Sequence, residues 1–455
     1  MSITITKKNG MKSLRLSTKI YYLFGDIGVS TCLSAIAFFM LFFFTDVAHL
    51  DPALVGTVLL IGKLWDAVND PLFGWISDRT QSRFGKRRVY LLFGTIPLGL
   101  SFVLLWMIPT GASNALAIVW LLGTFFLFYS FITIVSVSYY AMTPELTRDY
   151  DERTSLTTFR MIGGSAGYMA GAALPPLIAG LFVTEQIGWR VMGLCLGVFT
   201  VLCLFITAFG VRIDENMESP PSTMPPIKSI LSCFKNRPYN YILIQGAITG
   251  MSFMLIMSYM SFYLTYQLDM RDQIPLIMAL YIGTIALFLF FWKWLADRWA
   301  KGPTYALGLF IAFGTLALSF FLPQGRSNLI YVILLISAFG MSAQWVLPWS
   351  ILPDVVEYDE LMTGERREGM YYGLRGLLGK ISDAVGIFVG GWVLKLFAFV
   401  PETAQTPETL FGIRLFFGPI PALLIFISLP LLIWFPINRQ IHAETLEKLK
   451  LMRFN

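Results

Sequence analysis

Twelve long apolar runs constrain the fold of this chain more than any other feature. Each run holds about 20 residues or more, which is enough to cross the hydrocarbon core of a bilayer as a helix. Of the 455 residues, 56% are hydrophobic and 14% are charged, against about 25% charged in a soluble protein. The pattern predicts an all-α membrane protein with twelve transmembrane helices and excludes a soluble globular one. The runs fall at 18–46, 53–77, 89–108, 115–141, 157–183, 190–211, 239–266, 275–296, 303–322, 328–350, 371–399 and 412–436.

A polar connection divides the runs into two sets of six. Segment 212–238 combines acidic, basic and proline residues, and such a segment cannot lie in hydrocarbon. We therefore expect a six-helix bundle over 1–211, a cytoplasmic central loop over 212–238, a second six-helix bundle over 239–436 and an amphipathic cytoplasmic tail over 437–455.

An internal repeat indicates that the two halves are equivalent. The pair Asp78-Arg79 follows the second run, and the pair Asp297-Arg298 follows the eighth, at the same point of its half. This pattern is typical of a duplicated six-helix unit with pseudo-symmetric bundles, although Asp-Arg pairs also recur at cytoplasmic helix ends. We expect both pairs to latch the cytoplasmic helix ends in the outward-facing state, through charge pairs and helix dipoles.

The distribution of positive charge predicts the orientation. The formal net charge is +6, and the lysines and arginines cluster in the amino-terminal segment and in alternate connections. Because positive residues favour the cytoplasmic side, both termini are expected in the cytoplasm of a multi-pass cell-membrane protein. Loop charges of this kind do not indicate nucleic acid binding. The expected partners are the lipid bilayer and a small-molecule substrate, and the chain is expected to be a monomer.

The sequence offers little material for an enzyme or a structural metal site. Four cysteines are scattered without C-x-x-C spacing, and the only two histidines are His49 and His442. No motif places a nucleophile beside a base, and no ligand spacing indicates zinc. A channel would show a repeated pore loop or rings of charge. We expect a carrier that is not an enzyme and needs no cofactor besides a coupling ion.

The second apolar run contains charged residues, which are costly inside a membrane and therefore indicate a functional site. Lys63, Asp66 and Asp70 recur at spacings of three and four, which places them on one helix face with Asn69 beside them. Two carboxylates one turn apart, with an amide oxygen nearby, form a cluster that could hold Na⁺ or carry H⁺. The alternative is a structural salt bridge between Lys63 and Asp66.

Other apolar runs add ionisable and polar candidates. Arg375, Lys380 and Asp383 lie in the eleventh run, where Lys380 either pairs with Asp383 one turn away or faces a cavity. Arg160 and Asp26 lie near the starts of the fifth and first runs. Further candidates are hydroxyls of the fourth run and a tryptophan of the tenth that either stacks on a ligand or faces lipid: Thr133, Ser136, Tyr140 and Trp345.

The motifs of the chain resemble those of the glycoside-pentoside-hexuronide:cation symporters of the major facilitator superfamily, typified by the melibiose permease. The resemblance covers essentially the whole chain. Its most specific parts are Phe43-Phe44-Thr45-Asp46-Val47, Trp65-Asp66-Ala67-Val68-Asn69-Asp70-Pro71, Arg83-Phe84-Gly85-Lys86 and Leu352-Pro353-Asp354-Val355-Val356-Glu357-Tyr358. It implies a symporter with a central cavity between the bundles, lined by the second, fourth, fifth, tenth and eleventh spans.

The resemblance also implies site residues. It assigns the coupling cation to Asp66 and Asp70, with Asn69 between them and Thr133 as a hydroxyl ligand, and Na⁺ as the metal if the carrier is sodium-coupled. The implied substrate-binding residues are Asp26, Ser30, Lys63, Ser136, Tyr140, Arg160, Trp345, Arg375 and Lys380. Ser30 and Ser136 stand where the melibiose-type permease has acids, and Tyr140 stands where it has an indole.

These departures make the predicted cavity more positive. Lys63, Arg160 and Lys380 are kept and Arg375 is added while two carboxylates are lost, so an anion is favoured over a neutral galactoside. We expect a sugar or glycoside that is anionic, such as a uronide or a sulfonated sugar. The same cation motif also resembles that of the sodium-dependent lysophospholipid transporters, whose zwitterionic lipid substrates are the alternative.

Overall fold

The computed structural model describes most of the chain. At the amino terminus it shows a small antiparallel hairpin of β1 (Thr6–Lys8) and β2 (Met11–Ser13), with Lys7 opposite Lys12. The all-α prediction did not include this hairpin, because each of its strands has only three residues and most of these are polar. The described residues are 6–8, 11–80, 82–83, 85, 87–109, 113–147, 150–211, 233–364 and 367–454.

Six long helices follow the hairpin and form the first unit. They are α1 (Leu16–Phe42), α2 (Pro52–Arg79), α3 (Arg88–Trp106), α4 (Asn114–Leu146), α5 (Tyr150–Ala179) and α6 (Glu185–Gly210). The chain divides into two compact units, with Met1–Ser222 and Ile274–Ala279 in the first, and Thr223–Gln273 and Leu280–Asn455 in the second. Most of the predicted central loop, 212–232, lies outside the described residues, so the loop boundaries remain predictions.

The second unit repeats this helix order. Its helices are α7 (Arg237–Phe262), α8 (Ile274–Arg298, apart from the first-unit residues Ile274–Ala279), α9 (Lys301–Ala317), α10 (Leu329–Thr363), α11 (Glu368–Leu396), α12 (Pro407–Phe417), α13 (Pro419–Ile433) and α14 (Arg439–Phe454). Short 3-10 turns occupy Arg271–Gln273 and Leu318–Phe321. The predicted amphipathic tail is the helix α14.

Several spans differ from the predicted bounds: α4 ends five residues later and α5 begins seven residues earlier than expected, and the tenth and twelfth spans differ at prolines. The tenth span was expected to end at 350, but α10 continues through Pro353 to Thr363. A helix tolerates proline where neighbouring groups satisfy the freed backbone carbonyl. The twelfth span was expected to be continuous, but it breaks at Gly418, directly before Pro419 starts the next helix.

Ten helical segments within the described ranges are long and apolar enough to cross a membrane, with α12 and α13 counted together. The two remaining long helices are α2 and α5. Charged residues such as Asp66 and Asp70 make α2 less apolar, whereas glycines and prolines between Gly163 and Pro176 make α5 less apolar. The helices are consistent with the twelve predicted spans of an all-helical membrane protein.

Helix packing within each unit supports the duplication. In the first unit α1 packs against α5 and α6, and α3 packs against α4 and α6. In the second unit α7 packs against α11 and α13, and α9 packs against α10 and α13. These four pairs therefore correspond between the two units, as expected for a duplicated six-helix unit, whereas the packing of α2 on α4 has no counterpart of similar extent in the described part of the second unit.

The first helix of each unit ends in the same unusual turn. A π-helical segment follows α1 at Phe43–Val47 and follows α7 at Tyr263–Gln267. In both copies the amide directly after the segment donates to its first carbonyl, at 2.9 and 3.2 Å, and the amide two residues later donates to its second, at 2.9 and 2.8 Å. His49 and Asp269 then adopt positive φ angles of 56° and 51°. This shared geometry is a signature of duplication that the Asp-Arg echo alone did not reveal.

A row of glycines on α5 brings that helix unusually close to α1. Gly163, Gly167 and Gly171 recur every four residues, and a Cβ atom at any of them would overlap atoms of α1. At the first two glycines the obstructing atoms are the backbone carbonyl oxygens of Leu23 and Ile27. Small residues at such spacing allow close helix packing in membranes, where no hydrophobic force draws helices together.

We expect Gly167→Ala to destabilise the protein by about 1–3 kcal/mol, because the added methyl group forces α5 away from the α1 backbone. The measurement is thermal unfolding in detergent. The matched control is Gly123→Ala on α4, where a Cβ atom would meet nothing within 4 Å, and which should leave stability unchanged or slightly raised. Equal melting temperatures for the two variants would contradict the tight α1–α5 contact.

Candidate functional site

The α2 segment around the predicted cation ligands is shaped by a proline. Asp66 and Asp70 lie one turn apart, and Pro71 lies inside the helix. Proline has no amide hydrogen, so the carbonyl oxygen of Ala67, four residues earlier, cannot receive the usual helical bond from that position. The segment therefore places a backbone oxygen without its helical donor between two carboxylates.

The structure brings the two carboxylates together at a hydroxyl of α4. Thr133 Oγ1 lies 3.1 Å from Asp66 Oδ1 and 3.2 Å from Asp70 Oδ1. Thr133 is fully buried and Asp66 is almost so. A hydroxyl has one hydrogen to donate, so it cannot serve both acceptors at once. The three groups thus bring their oxygens together in a largely buried cluster, and we name Asp66, Asp70 and Thr133 the oxygen cluster.

Asn69 adds a fourth polar group next to this cluster. Its side chain is fully buried, and within the described part of the chain neither its amide nitrogen nor its amide oxygen has a hydrogen-bond partner. A buried amide without partners costs about 1–3 kcal/mol. A cation that accepted the amide oxygen as a ligand would remove part of that cost, so Asn69 fits the predicted role.

Lys63 lies against an aromatic ring. Its Nζ atom is 5.6 Å from the ring centroid of Tyr129 on α4, which is within the range of a cation–π interaction. Among the described ion pairs none joins Lys63 to Asp66, as the structural alternative requires. Lys63 is therefore placed against the Tyr129 ring rather than in a salt bridge with Asp66.

A second cluster in the first unit joins α1, α4 and α5. Tyr140 donates its hydroxyl to Asp26 Oδ1 at 3.1 Å, and Arg160 Nε lies 3.9 Å from Asp26 Oδ2. The Arg160 guanidinium also lies 5.0 Å from the ring centroid of Tyr140. Asp26 Oδ2 and Ser30 Oγ lie 2.9 and 3.5 Å from where a Cβ atom of Gly164 would stand. The α5 glycine thus leaves room for the Asp26 carboxylate.

One face of α4 serves both clusters. Thr133 and Tyr140 are seven residues apart, or about 10 Å along a helix, and seven residues make nearly two full turns. Ser136 lies between them and is half-buried. The oxygen cluster and the Asp26–Tyr140–Arg160 cluster therefore sit at two levels of the same helix.

The second unit contains a cavity of about 280 Å³ between α7, α10 and α11. Glycines such as Gly246 and Gly250 line its α7 side, and Trp345, Trp349, Arg375 and Asp383 bring rings and charge. The Arg375 guanidinium lies 5.4 Å from the ring centroid of Trp349. A flat cation on an indole face, with an aspartate nearby, suits a ligand that has both a charge and hydroxyl groups.

Lys380 and Asp383 occupy successive turns of α11, and they differ in their relation to the cavity. Asp383 lines the cavity, whereas Lys380 is half-buried and is not among its lining residues. The assignment of Lys380 to substrate binding therefore stays a prediction. So does the expectation that the candidate residues of the two units face one central cavity.

The latch residues have local partners where the structure describes them. Asp297 Oδ2 lies 3.5 Å from Lys293 Nζ one turn earlier, and the Arg298 guanidinium lies 4.3 Å from the ring centroid of Trp294. Both contacts lie within α8, so the role of Asp297 and Arg298 in a latch stays a prediction. The side chain of Asp78 lies outside the described part, so the latch with Arg79 stays a prediction.

Sequence reasoning missed several residues of these sites. It did not include Gly246, Gly250 or Gln344, which line the cavity, or Tyr129, which lies under Lys63. Gly246 and Gly250 are four residues apart, and this spacing could have indicated a helix face without side chains. The Tyr129 contact joins residues 66 positions apart and had no signal in the sequence.

Comparisons with known proteins identify the family of the chain. A family model described as MFS/sugar transport protein matches residues 21–439. The chain belongs to this family. Its members are transporters of the major facilitator superfamily, and the fold described above is a major facilitator fold.

Curated relatives of this major facilitator protein are named symporters. An uncharacterized symporter of Bacillus subtilis is 32% identical and covers 92% of this chain and 91% of its own. An uncharacterized symporter of Synechocystis is 29% identical and covers 98% of both chains. A sodium-dependent lysophosphatidylcholine symporter 1 of Gallus gallus is 24% identical and covers 98% and 91%. The chain is therefore a cation-coupled symporter of a multi-pass membrane type.

A solved structure shares the fold. The inward-facing, unoccupied bacterial homolog of the human lysosomal transporter Spinster matches with a TM-score of 0.67 and 14% identity, over 95% of this chain and 97% of the other. At this identity the match supports the major facilitator fold alone.

Proposed function

We propose that the protein is a Na⁺-coupled symporter that imports an anionic sugar, such as a uronide or a sulfonated sugar, by alternating access. The observation that carries the proposal is the oxygen cluster, in which a buried hydroxyl lies 3.1 and 3.2 Å from two carboxylates of one helix. The names of the symporter relatives support ion coupling, and some of those names include sodium.

The number of converging oxygens favours Na⁺ over H⁺. A proton needs a single carboxylate, whereas a bare hard cation needs several oxygens to replace its hydration shell. Asp66, Asp70 and Thr133 provide three groups, and the buried amide of Asn69 is a fourth candidate. The two carboxylates also supply negative charge that offsets the cost of dehydrating Na⁺.

The helix α4 offers a physical route for coupling. It carries Thr133 of the oxygen cluster and Tyr140, which donates to Asp26. A cation held between α2 and α4 fixes the position of α4, and this in turn fixes Tyr140 against Asp26 and Arg160. Coupling between two sites is reciprocal, so the substrate should also raise the affinity for Na⁺.

The cationic side chains support an anionic substrate. Arg160 is 3.9 Å from its nearest acid, too far for a strong bidentate pair, so its fork can still turn to a ligand. Arg375 lies on the Trp349 ring at the cavity of the second unit. Guanidinium groups bind carboxylate, sulfonate and phosphate groups through two parallel hydrogen bonds. A neutral glycoside gains no comparable attraction.

A lysophospholipid is the second candidate substrate, because sodium-dependent lysophosphatidylcholine symporters match 98% of this chain. Their substrate also carries a phosphate that the same arginines suit. The two candidates differ in the acyl chain: only the lysophospholipid has one, so only this substrate requires space for it in the protein. A panel of substrates therefore separates them.

The oxygen cluster predicts the effect of three substitutions. Asp66→Asn and Asp70→Asn should abolish Na⁺-driven accumulation in proteoliposomes, because each removes a charge that compensates cation dehydration, while substrate exchange partly survives. Thr133→Val should raise the Na⁺ concentration for half-maximal uptake about tenfold, which corresponds to about 1.4 kcal/mol.

Thr124→Val is the matched control for the threonine variant. Thr124 lies on the same helix, is buried and donates to the Trp120 carbonyl at 2.8 Å, so its replacement should leave the Na⁺ dependence unchanged. Full gradient-driven uptake by both aspartate variants would contradict the assignment.

The substrate proposal is tested by uptake of neutral glycosides, uronides, sulfonated sugars and lysophosphatidylcholine, each with and without Na⁺. We expect uptake of the anionic sugars. Arg160→Lys and Arg375→Lys should each weaken uptake about tenfold or more although the charge is kept, because lysine cannot form the bidentate pair.

Arg326→Lys is the control, since Arg326 is exposed and pairs with Asp272 in a connection. It should transport as the unaltered protein does. Strong uptake of neutral glycosides alone would overturn the anionic proposal, and uptake of lysophosphatidylcholine alone would decide for the lipid.

A further inference from the structure

A cluster of four ionisable side chains lies apart from the candidate sites for Na⁺ and sugar. Asp354 and Glu357 come from α10, His442 from the tail helix α14, and Lys301 from the start of α9. His442 Nε2 is 2.8 Å from Glu357 Oε2 and 3.5 Å from Asp354 Oδ1. Lys301 Nζ is 2.9 and 2.7 Å from the two oxygens of Asp354.

The length of α10 places this cluster outside the hydrocarbon. The helix has 35 residues, or about 50 Å at the helical rise, against about 30 Å for the hydrocarbon core. Asp354 and Glu357 are three residues apart in its last third and so share a face. The tail helix α14 packs on α10, and His442 reaches the two acids from there.

We propose that Asp354, Glu357 and His442 form a binding site for a transition-metal dication, for which Zn²⁺ is the suitable probe. Each residue offers one ligand atom, and the three atoms lie within 4.8 Å of one another. The ligands of a tetrahedral zinc ion are about 3.3 Å apart. The distances from His442 Nε2 to the two carboxylates, 2.8 and 3.5 Å, bracket that spacing, and the distance between the two carboxylate ligand atoms is at most 4.8 Å.

The chemistry of the donors selects the class of metal. An imidazole nitrogen favours Zn²⁺ and its neighbours in the transition series, whereas Mg²⁺ and Ca²⁺ prefer oxygen ligands throughout. Two carboxylates and the Lys301 ammonium leave one net negative charge beside a neutral imidazole. In the metal-bound state Lys301 donates a hydrogen bond to Asp354 Oδ2 and so orients the carboxylate, while Oδ1 binds the metal.

The position of the site gives the metal a mechanical effect. Its ligands come from α10, which also contributes Trp345 and Trp349 to the cavity, and from the tail. A metal bound there joins α14 to the cytoplasmic end of α10. This site is separate from the oxygen cluster on α2 and α4, and it does not depend on the transported substrate.

Zinc titration of the purified full-length protein against a chromogenic chelator tests the site. We expect one Zn²⁺ per chain, and about a tenfold or greater loss of affinity in His442→Asn, because removal of a ligand costs at least as much as removal of a residue that orients one. His49→Asn is the matched control: it changes the other histidine of the sequence, and asparagine tolerates the positive φ angle of that position. The control should bind Zn²⁺ as the unaltered protein does.

Limited proteolysis gives a second readout that is independent of transport. Zn²⁺ should slow cleavage within the tail helix of the unaltered protein and of His49→Asn, and should have no such effect in His442→Asn or Glu357→Gln. Glu357→Gln keeps the size of the side chain and serves if the histidine variant does not elute as a single species. Absence of Zn²⁺ binding, equal binding by His442→Asn, or equal affinity for Ca²⁺ would each overturn the proposal.

Discussion

The cost of placing charge inside a membrane governs the rest of this structure. A charged side chain near the bilayer centre costs at least about 2.5–3.5 kcal/mol, so it must be held by neighbours that the fold supplies. The helix α2 carries such charges in Asp66 and Asp70, and α5 carries Arg160 near its start. Thr133 contacts the two α2 carboxylates, and Tyr140 contacts the carboxylate beside α5.

Close backbone packing makes these contacts possible. The glycines of α5 let α1 approach until no side chain fits between them, and this approach brings Asp26 within 3.9 Å of Arg160. Gly164 lies in the same turn and leaves space for the Asp26 carboxylate. The same residues therefore hold the helices together and admit the charges. A larger residue at Gly164 would disturb the site before it disturbed the fold.

The two units share a scaffold and differ in their polar residues. At the start of the third helix of each unit a basic residue pairs with an acid near the end of the fourth helix: Arg87 with Glu145 at 3.0 Å, and Lys301 with Asp354 at 2.7 Å. Each acid directly follows a proline. The oxygen cluster, in contrast, belongs to the first unit, and the cavity with Arg375 belongs to the second. Duplication thus supplied the packing, and later divergence supplied the separate chemistry.

Local patterns predicted what depends on neighbours in the sequence. The apolar runs located the spans, and helical spacing placed Asp66 and Asp70 on one face, because both follow from residues within a few turns. Thr133 was included through the family resemblance, since no local pattern links it to α2. The Tyr129 contact of Lys63 and the His442 contact of Glu357 were out of reach, because each joins residues that only tertiary packing brings together. The end of α10 was missed for a related reason: a proline normally weakens a helix, but packing and capping of the surrounding groups decide whether it stops. The features that this sequence does not predict are therefore contacts between segments that are far apart in the chain. Several of the charged residues make their contacts there.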